Sequence, residues 1–214
     1  MTQESDDQRA RPSRGQGRAE IMLAASAEFS AKGYAGATTA AIARRAGVTQ
    51  PLVHHHFGSK RKLWCEVLSE MFGELDQVIG HAIAAYYAAP SVETLSEVIR
   101  QFALFSGRHP FLTRVIAVES AAASPHFDYL YTTHLEATLH HVEAWLQHAV
   151  AQGIIADLDT RMLRSIIIGA CTHLFRVSEE IRRFDGIDPM SEAQVCAHAE
   201  LVVRILISGL QRPS

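Results

Sequence analysis

"TTAAIARRAGVTQPLVHHHFGSK", residues 38–60, holds two short runs with helical apolar spacing, separated by Gly47-Val48. Thr38 can N-cap the first run, because its hydroxyl accepts a backbone N–H that has no intrahelical partner. Gly47 suits the left-handed residue that ends it after Ala46. Thr49 stands in the same position before the second run, with Pro51 in a first turn where a missing N–H costs nothing. The spacing predicts helices over 38–46 and 49–56, and a break at Gly58. Two short helices joined by a tight turn form a helix-turn-helix, whose second helix offers its N-terminal residues to base edges in the major groove. The three consecutive histidines, His54, His55 and His56, point about 100° apart on a helix and cannot converge on one ion. Metal sites on a helix use i,i+3 or i,i+4 spacing. Imidazoles at the end of a groove-bound helix reach phosphate oxygens at the groove wall.

Charge is distributed to match. Residues 9–62 carry ten Lys/Arg against two acids, Glu20 and Glu28, and include every lysine of the chain. The formal net charge of the whole is −3, so the remainder is acidic. A basic N-terminal third on an acidic body fits a nucleic-acid-binding module joined to a separate domain. Outward from the quoted stretch the pattern stays helical. Ile21, Ala24, Ala25, Glu28 and Phe29 repeat at 3.6-residue spacing up to Gly33. Ser59 opens a helix toward His81, Pro90-Ser91 one to about Ser106, and His109-Pro110 one to about Ala122. Ser124-Pro125 opens one ending near Gly153, Asp159 one to about Arg183, and Ser191 the last, to about Gln211. Alternating β-branched runs and hairpin dipeptides are missing. The expected fold is all-α, with about nine helices.

Residues 18–64 resemble the N-terminal domain of the TetR family of bacterial transcriptional regulators. The matching pattern is Ile21, Ala24-Ala25, Phe29, Gly33-Tyr34, Thr38, Ile42-Ala43, Ala46-Gly47-Val48, His56-Phe57, Ser59-Lys60 and Leu63. Two positions depart from it: Ala37 stands where a threonine is usual, and His54 where a tyrosine is usual. The resemblance implies base-reading roles for Gln50 and Pro51, since Gln pairs bidentately with adenine and Pro packs on a thymine methyl. Leu52 is apolar at a position expected to face the groove. Thr38, Thr39, His54, His56 and Lys60 are expected to hold phosphates, while His55 is expected to be a solvated or core-edge side chain.

The same resemblance implies a C-terminal ligand-binding and dimerisation domain. The last two expected helices are apolar on more than one face, so one face needs a partner beyond the chain's own core. Leu163, Ile167, Ala170, Leu174, Val195, Val202 and Leu206 are the expected homodimer interface. Phe102, Phe105, Glu119, His134, His141 and Trp145 are candidate ligand contacts, and His134, His141 and His148 fall seven apart on one stripe. Core packing is the competing reading of the aromatics. Glu119, in an apolar run, needs a buried partner, for which Arg114 and Arg108 are the nearby cations.

The expected organisation is an arm over 1–15, a helix-turn-helix domain over 16–62, and a helical effector-binding and dimerisation domain over 63–212. Motifs GxSxG, GxxxxGK, GxGxxG and HExxH are absent from the sequence, so no enzyme, catalytic residue, cofactor or metal site is expected. Cys65, Cys171 and Cys196 show no CxxC spacing, and residues 1–17 lack an apolar core, which together point to the cytoplasm. The expected function is a homodimeric regulator, most simply a repressor that leaves a palindromic double-stranded DNA operator when a small, largely apolar effector binds. The alternative is a metal-responsive or effector-independent DNA-binding regulator.

Overall fold

Thr38, Ser91, Ser124 and Asp159 cap helix starts in the computed structural model, which describes residues 14–122 and 124–210. The arm expected over 1–15 lies outside the described residues, apart from Arg14 and Gly15, which open α1. The regular elements of the described residues are all helices, with no strand among them. They form two compact units, divided between Val67 and Leu68.

The first unit contains α1 (Arg14–Gly36), α2 (Thr39–Arg45), α3 (Gln50–Phe57) and the start of α4 (Lys60–Ala88). α1 is interrupted at Gly33, at φ 66°. Ile21, Ala25, Phe29, Ile42, Val53, Phe57, Leu63 and Trp64 are buried together as its core. Phe29, Tyr34 and Trp64 interlock, with Phe29 and Trp64 edge-to-face at 4.8 Å and Tyr34 against Trp64 at 5.6 Å. That geometry is favoured by the ring quadrupoles.

The second unit holds the rest of α4, then α5 (Val92–Arg108), α6 (Pro110–Ala122), α7 (Pro125–Leu130), a π turn (Tyr131–Leu135), α8 (Glu136–Ala151), α9 (Thr160–Arg176), α10 (Ser178–Asp185) and α11 (Glu192–Leu210). α5 is central and packs on both α9 and α11. Leu95, Ile99, Ala103, Trp145, Leu146, Ile167, Cys171, Ala199 and Val202 share its core. α11 is long and apolar enough to cross a membrane, yet Val195, Ala199, Val202, Val203 and Leu210 are buried in the protein.

Three boundaries differ from the sequence reading. α4 continues past His81 to Ala88, because Ala82 and Tyr86 are buried and tie that end into the core. The single helix expected from Ser124 to Gly153 is divided by the π turn, where the backbone takes in an extra residue. The helix expected from Asp159 to Arg183 breaks at Val177 (φ −99°, ψ 24°). There Arg114 of α6 donates to the Phe175 carbonyl at 3.1 Å and to Ser178 Oγ at 2.7 Å. The carbonyl exposed by the break is thereby satisfied from another helix.

Candidate nucleic-acid interface

Thr38 caps α2, its hydroxyl accepting the Ala41 N–H at 3.1 Å. The chain leaves α2 through Gly47 at φ 67°, a left-handed conformation that costs L side chains energy. The Val48 N–H returns to the Ala43 carbonyl at 3.0 Å and fixes the turn. Thr49 precedes α3 in an extended conformation without a side-chain cap bond, and Pro51 occupies the first turn. Val53 and Phe57 anchor the inner face of α3. Its outer face is left to solvent: Gln50, Pro51, His54 and His55 are exposed.

Gln50 Nε2 donates to Thr39 Oγ1 at 3.0 Å, which couples the first residue of α3 to the first of α2. The amide oxygen and the second N–H keep their hydrogen-bonding capacity for a base edge or phosphate. His54 Nδ1 lies 3.3 Å from the Gly58 carbonyl, a contact that orients its ring. Leu52 and His56 are half-buried on the side toward α1, where a Cβ at Gly17 would lie 3.8 Å from both Leu52 Cδ2 and His56 Nε2. His55, not expected to contribute, is exposed, as is His54.

Lys60 is placed differently from a free phosphate contact. Its ammonium donates to the Tyr34 carbonyl at 2.8 Å and the Ala37 carbonyl at 2.9 Å. It also stands 4.3 Å from the centroid of the Tyr34 ring. These are carbonyls at the end of α1, where helices leave acceptors unsatisfied. The buried carboxylate of Glu28 accepts from Lys32 at 2.7 Å and Arg45 at 3.3 Å. The Lys32 bond, aided by Arg45 and opposed by burial, holds Glu28 below the usual carboxylate range. Arg44, Arg61 and Lys62 are exposed at the end of α2 and the start of α4. The sequence pattern singled out none of the three, although the basic bias of the segment contained them.

In the second unit the candidate ligand residues separate into distinct contacts. Phe105 is buried and stacks on His109 at 4.3 Å, and Phe102 is half-buried beside the core. Trp145 is buried edge-on to Tyr86 at 6.0 Å. His134 stacks on Phe72 at 4.7 Å, His148 bonds the Tyr86 hydroxyl at 3.1 Å, and His141 is exposed. The three histidines therefore do not present one common surface. Glu119 is buried and accepts from Ser124 Oγ at 2.8 Å. Of the cations considered for it, Arg114 serves the α9–α10 break and Arg108 pairs with Glu192. Among the expected dimer residues, Leu163, Ile167, Val195 and Val202 are buried within the chain's own core, and Ala170, Leu174 and Leu206 are half-buried. The exposed apolar side chains of the same two helices are Met162, Ile166, Leu201 and Ile205.

A capped two-helix turn on a buried core, with the N-terminal face of its second helix open, defines a helix-turn-helix DNA-binding regulator. The chain belongs to the TetR family: the family described as "Bacterial regulatory proteins, tetR family" matches residues 21–67, and "YcdC-like protein, C-terminal region" matches residues 76–213. It is similar to the HTH-type transcriptional regulator RutR of Escherichia coli (strain K12), 26% identical over 191 residues that cover 89% of each chain. It also resembles the HTH-type transcriptional activator FasR of Mycolicibacterium smegmatis, 36% identical over 70 residues, 33% of this chain and 32% of that one. Among solved structures, the ketosteroid transcriptional regulator KstR2 of Mycobacterium tuberculosis superposes with TM-score 0.72 at 18% identity, covering 92% of this chain and 95% of that one. The regulator FadR of Bacillus subtilis in complex with stearoyl-CoA gives TM-score 0.62 at 22% identity, covering 91% and 100%. The fold is shared with both.

Proposed function

We propose that the protein is a homodimeric repressor that leaves a palindromic operator when a small, largely apolar ligand binds its C-terminal unit. The observation that carries this reading is the exposed face of α3, with Gln50 poised by Thr39 at 3.0 Å. Gln50 and Pro51 read bases, and Thr38, Thr39 and His54 hold phosphates together with Arg44, Arg61 and Lys62. His56 contributes from the α1-facing side of the same helix, and Lys60 supports the domain through its two carbonyl contacts. Dimerisation uses the exposed strip of Met162, Ile166, Leu201 and Ile205 on α9 and α11. The ligand shifts the population toward a dimer geometry that no longer matches successive major grooves, which requires unequal affinity for the two geometries. FadR of Bacillus subtilis, in complex with stearoyl-CoA, supports a ligand with a large apolar part, the acyl chain.

The test is fluorescence anisotropy of labelled operator, recovered by selection from random DNA, titrated with a library of apolar small molecules and with Zn²⁺. An organic ligand that releases DNA while raising the melting temperature of the free protein supports the reading. A ligand at about 100 times its Kd adds about 2.7 kcal/mol of stability. Release by Zn²⁺ alone, or by nothing in the library, favours a metal-responsive or effector-independent regulator.

A further inference from the structure

His134 occupies the π turn Tyr131–Leu135, between α7 and α8. π turns are uncommon and recur at functional sites, because the inserted residue redirects side chains at the expense of regular hydrogen bonding. Its ring lies parallel to Phe72 of α4, 4.7 Å between centroids and 6° between planes. Tyr129 stands edge-on to it at 6.1 Å. The ring is held on two sides, yet its Nε2 is buried and has no hydrogen-bond partner among the described residues. An unmet buried polar atom costs about 1–3 kcal/mol, and folding alone would be served as well by phenylalanine, which makes the same stack.

We propose that His134 Nε2 is the polar anchor of the effector site, and that the ligand is an uncharged, largely apolar molecule whose hydroxyl bonds this atom. The proposal rests on the ligand-responsive reading given above. Two features select a hydroxyl. Neutral imidazole offers either a donor or an acceptor at Nε2 according to its tautomer, and a hydroxyl serves both. A carboxylate can only accept and gains most from an imidazolium, but burial pushes the His134 imidazole toward its neutral form, with Asp76 of α4 opposing the shift. The charge of Asp76, which acts on His134 directly, is also of the wrong sign for an anion.

The experiment compares the full-length protein with His134→Phe, using 1-naphthol, naphthalene and 1-naphthoate as probes. Without any probe, His134→Phe should melt at the same temperature or higher, because it keeps the stack on Phe72 and removes the unmet atom. A clearly lower melting temperature would mean that Nε2 has a structural partner, a bound water included, and would overturn the proposal. By calorimetry, 1-naphthol should bind the parent protein at least tenfold more tightly than naphthalene or 1-naphthoate, and that preference should vanish in His134→Phe. Equal binding of 1-naphthol to both proteins, a preference for 1-naphthoate, or no binding of 1-naphthol at its solubility limit overturns it. The two readings fail separately. An effector that releases operator DNA with equal potency from the parent and from His134→Phe removes the anchor role and leaves the regulator intact. Binding of 1-naphthol through His134 by a protein that no organic molecule releases from DNA supports the anchor and removes the effector-released repressor.

Discussion

Lys60 shows how one side chain can tie distant parts of a DNA-binding domain together. Its ammonium bridges the carbonyls of Tyr34 and Ala37 across 26 and 23 residues of sequence. Truncation leaves two acceptors at the end of α1 to find other partners and removes the cation from the Tyr34 ring. Lys60→Ala should therefore lower folding stability by about 1–3 kcal/mol in denaturant melts, whereas loss of a surface phosphate contact would leave stability unchanged and only flatten the salt dependence of DNA affinity. Glu28 gives a second test at this scale. Its folded-state pKa is depressed by Lys32 and Arg45, so its stabilisation is present above the ordinary carboxylate value of 4.5 and is lost as pH falls through the lower folded value. Glu28→Gln should be destabilised relative to the parent at pH 7, and the gap should close on acidification below that range.

At the scale of elements, close approach decides what local sequence does not. Gly107 lies in the last turn of α5, where a Cβ would sit 2.6 Å from Val195 Cγ1 and 2.7 Å from Phe175 Cζ. Alanine has better helix propensity than glycine by about 1 kcal/mol, but overpacking of this kind costs about 1–3 kcal/mol. Gly107→Ala should thus lower the melting temperature, and a rise would mean that α11 is free to move away. The same contrast explains which elements were legible. Thr38, Gly47, Ser91 and Ser124 mark their helix starts and stops because capping is local chemistry. The break at Val177 depends on Arg114, 63 positions earlier in the sequence, and the contact that holds the π turn is a stack on Phe72 from another helix. Neither leaves a local signal. α9 and α11 were recognisable as helices with two apolar sides, but periodicity does not say which side faces the core. Leu163, Ile167, Val195 and Val202 turned inward, and Met162, Ile166, Leu201 and Ile205 outward. The exposed start of α3 was legible from the turn motif and Gln50 from the family resemblance, while the carbonyls that Lys60 meets are named by no sequence pattern.

For the whole molecule, the four outward apolar residues on two helices that contact each other are the basis for expecting a dimer. Ile166→Asp combined with Ile205→Asp should yield a folded monomer by sedimentation and lose operator binding, because one recognition helix alone cannot span two half-sites. A dimer that persists with unchanged affinity would place the interface elsewhere. The most direct test of the central claim is selection of bound sequences from random DNA by the purified protein and by Gln50→Ala, read by deep sequencing. The account predicts an inverted repeat with half-sites centred about 34 Å or more apart, and loss of preference at one position in each half-site in Gln50→Ala, at about 1–3 kcal/mol per bidentate contact. A single asymmetric site, or an identical motif for both proteins, would contradict it.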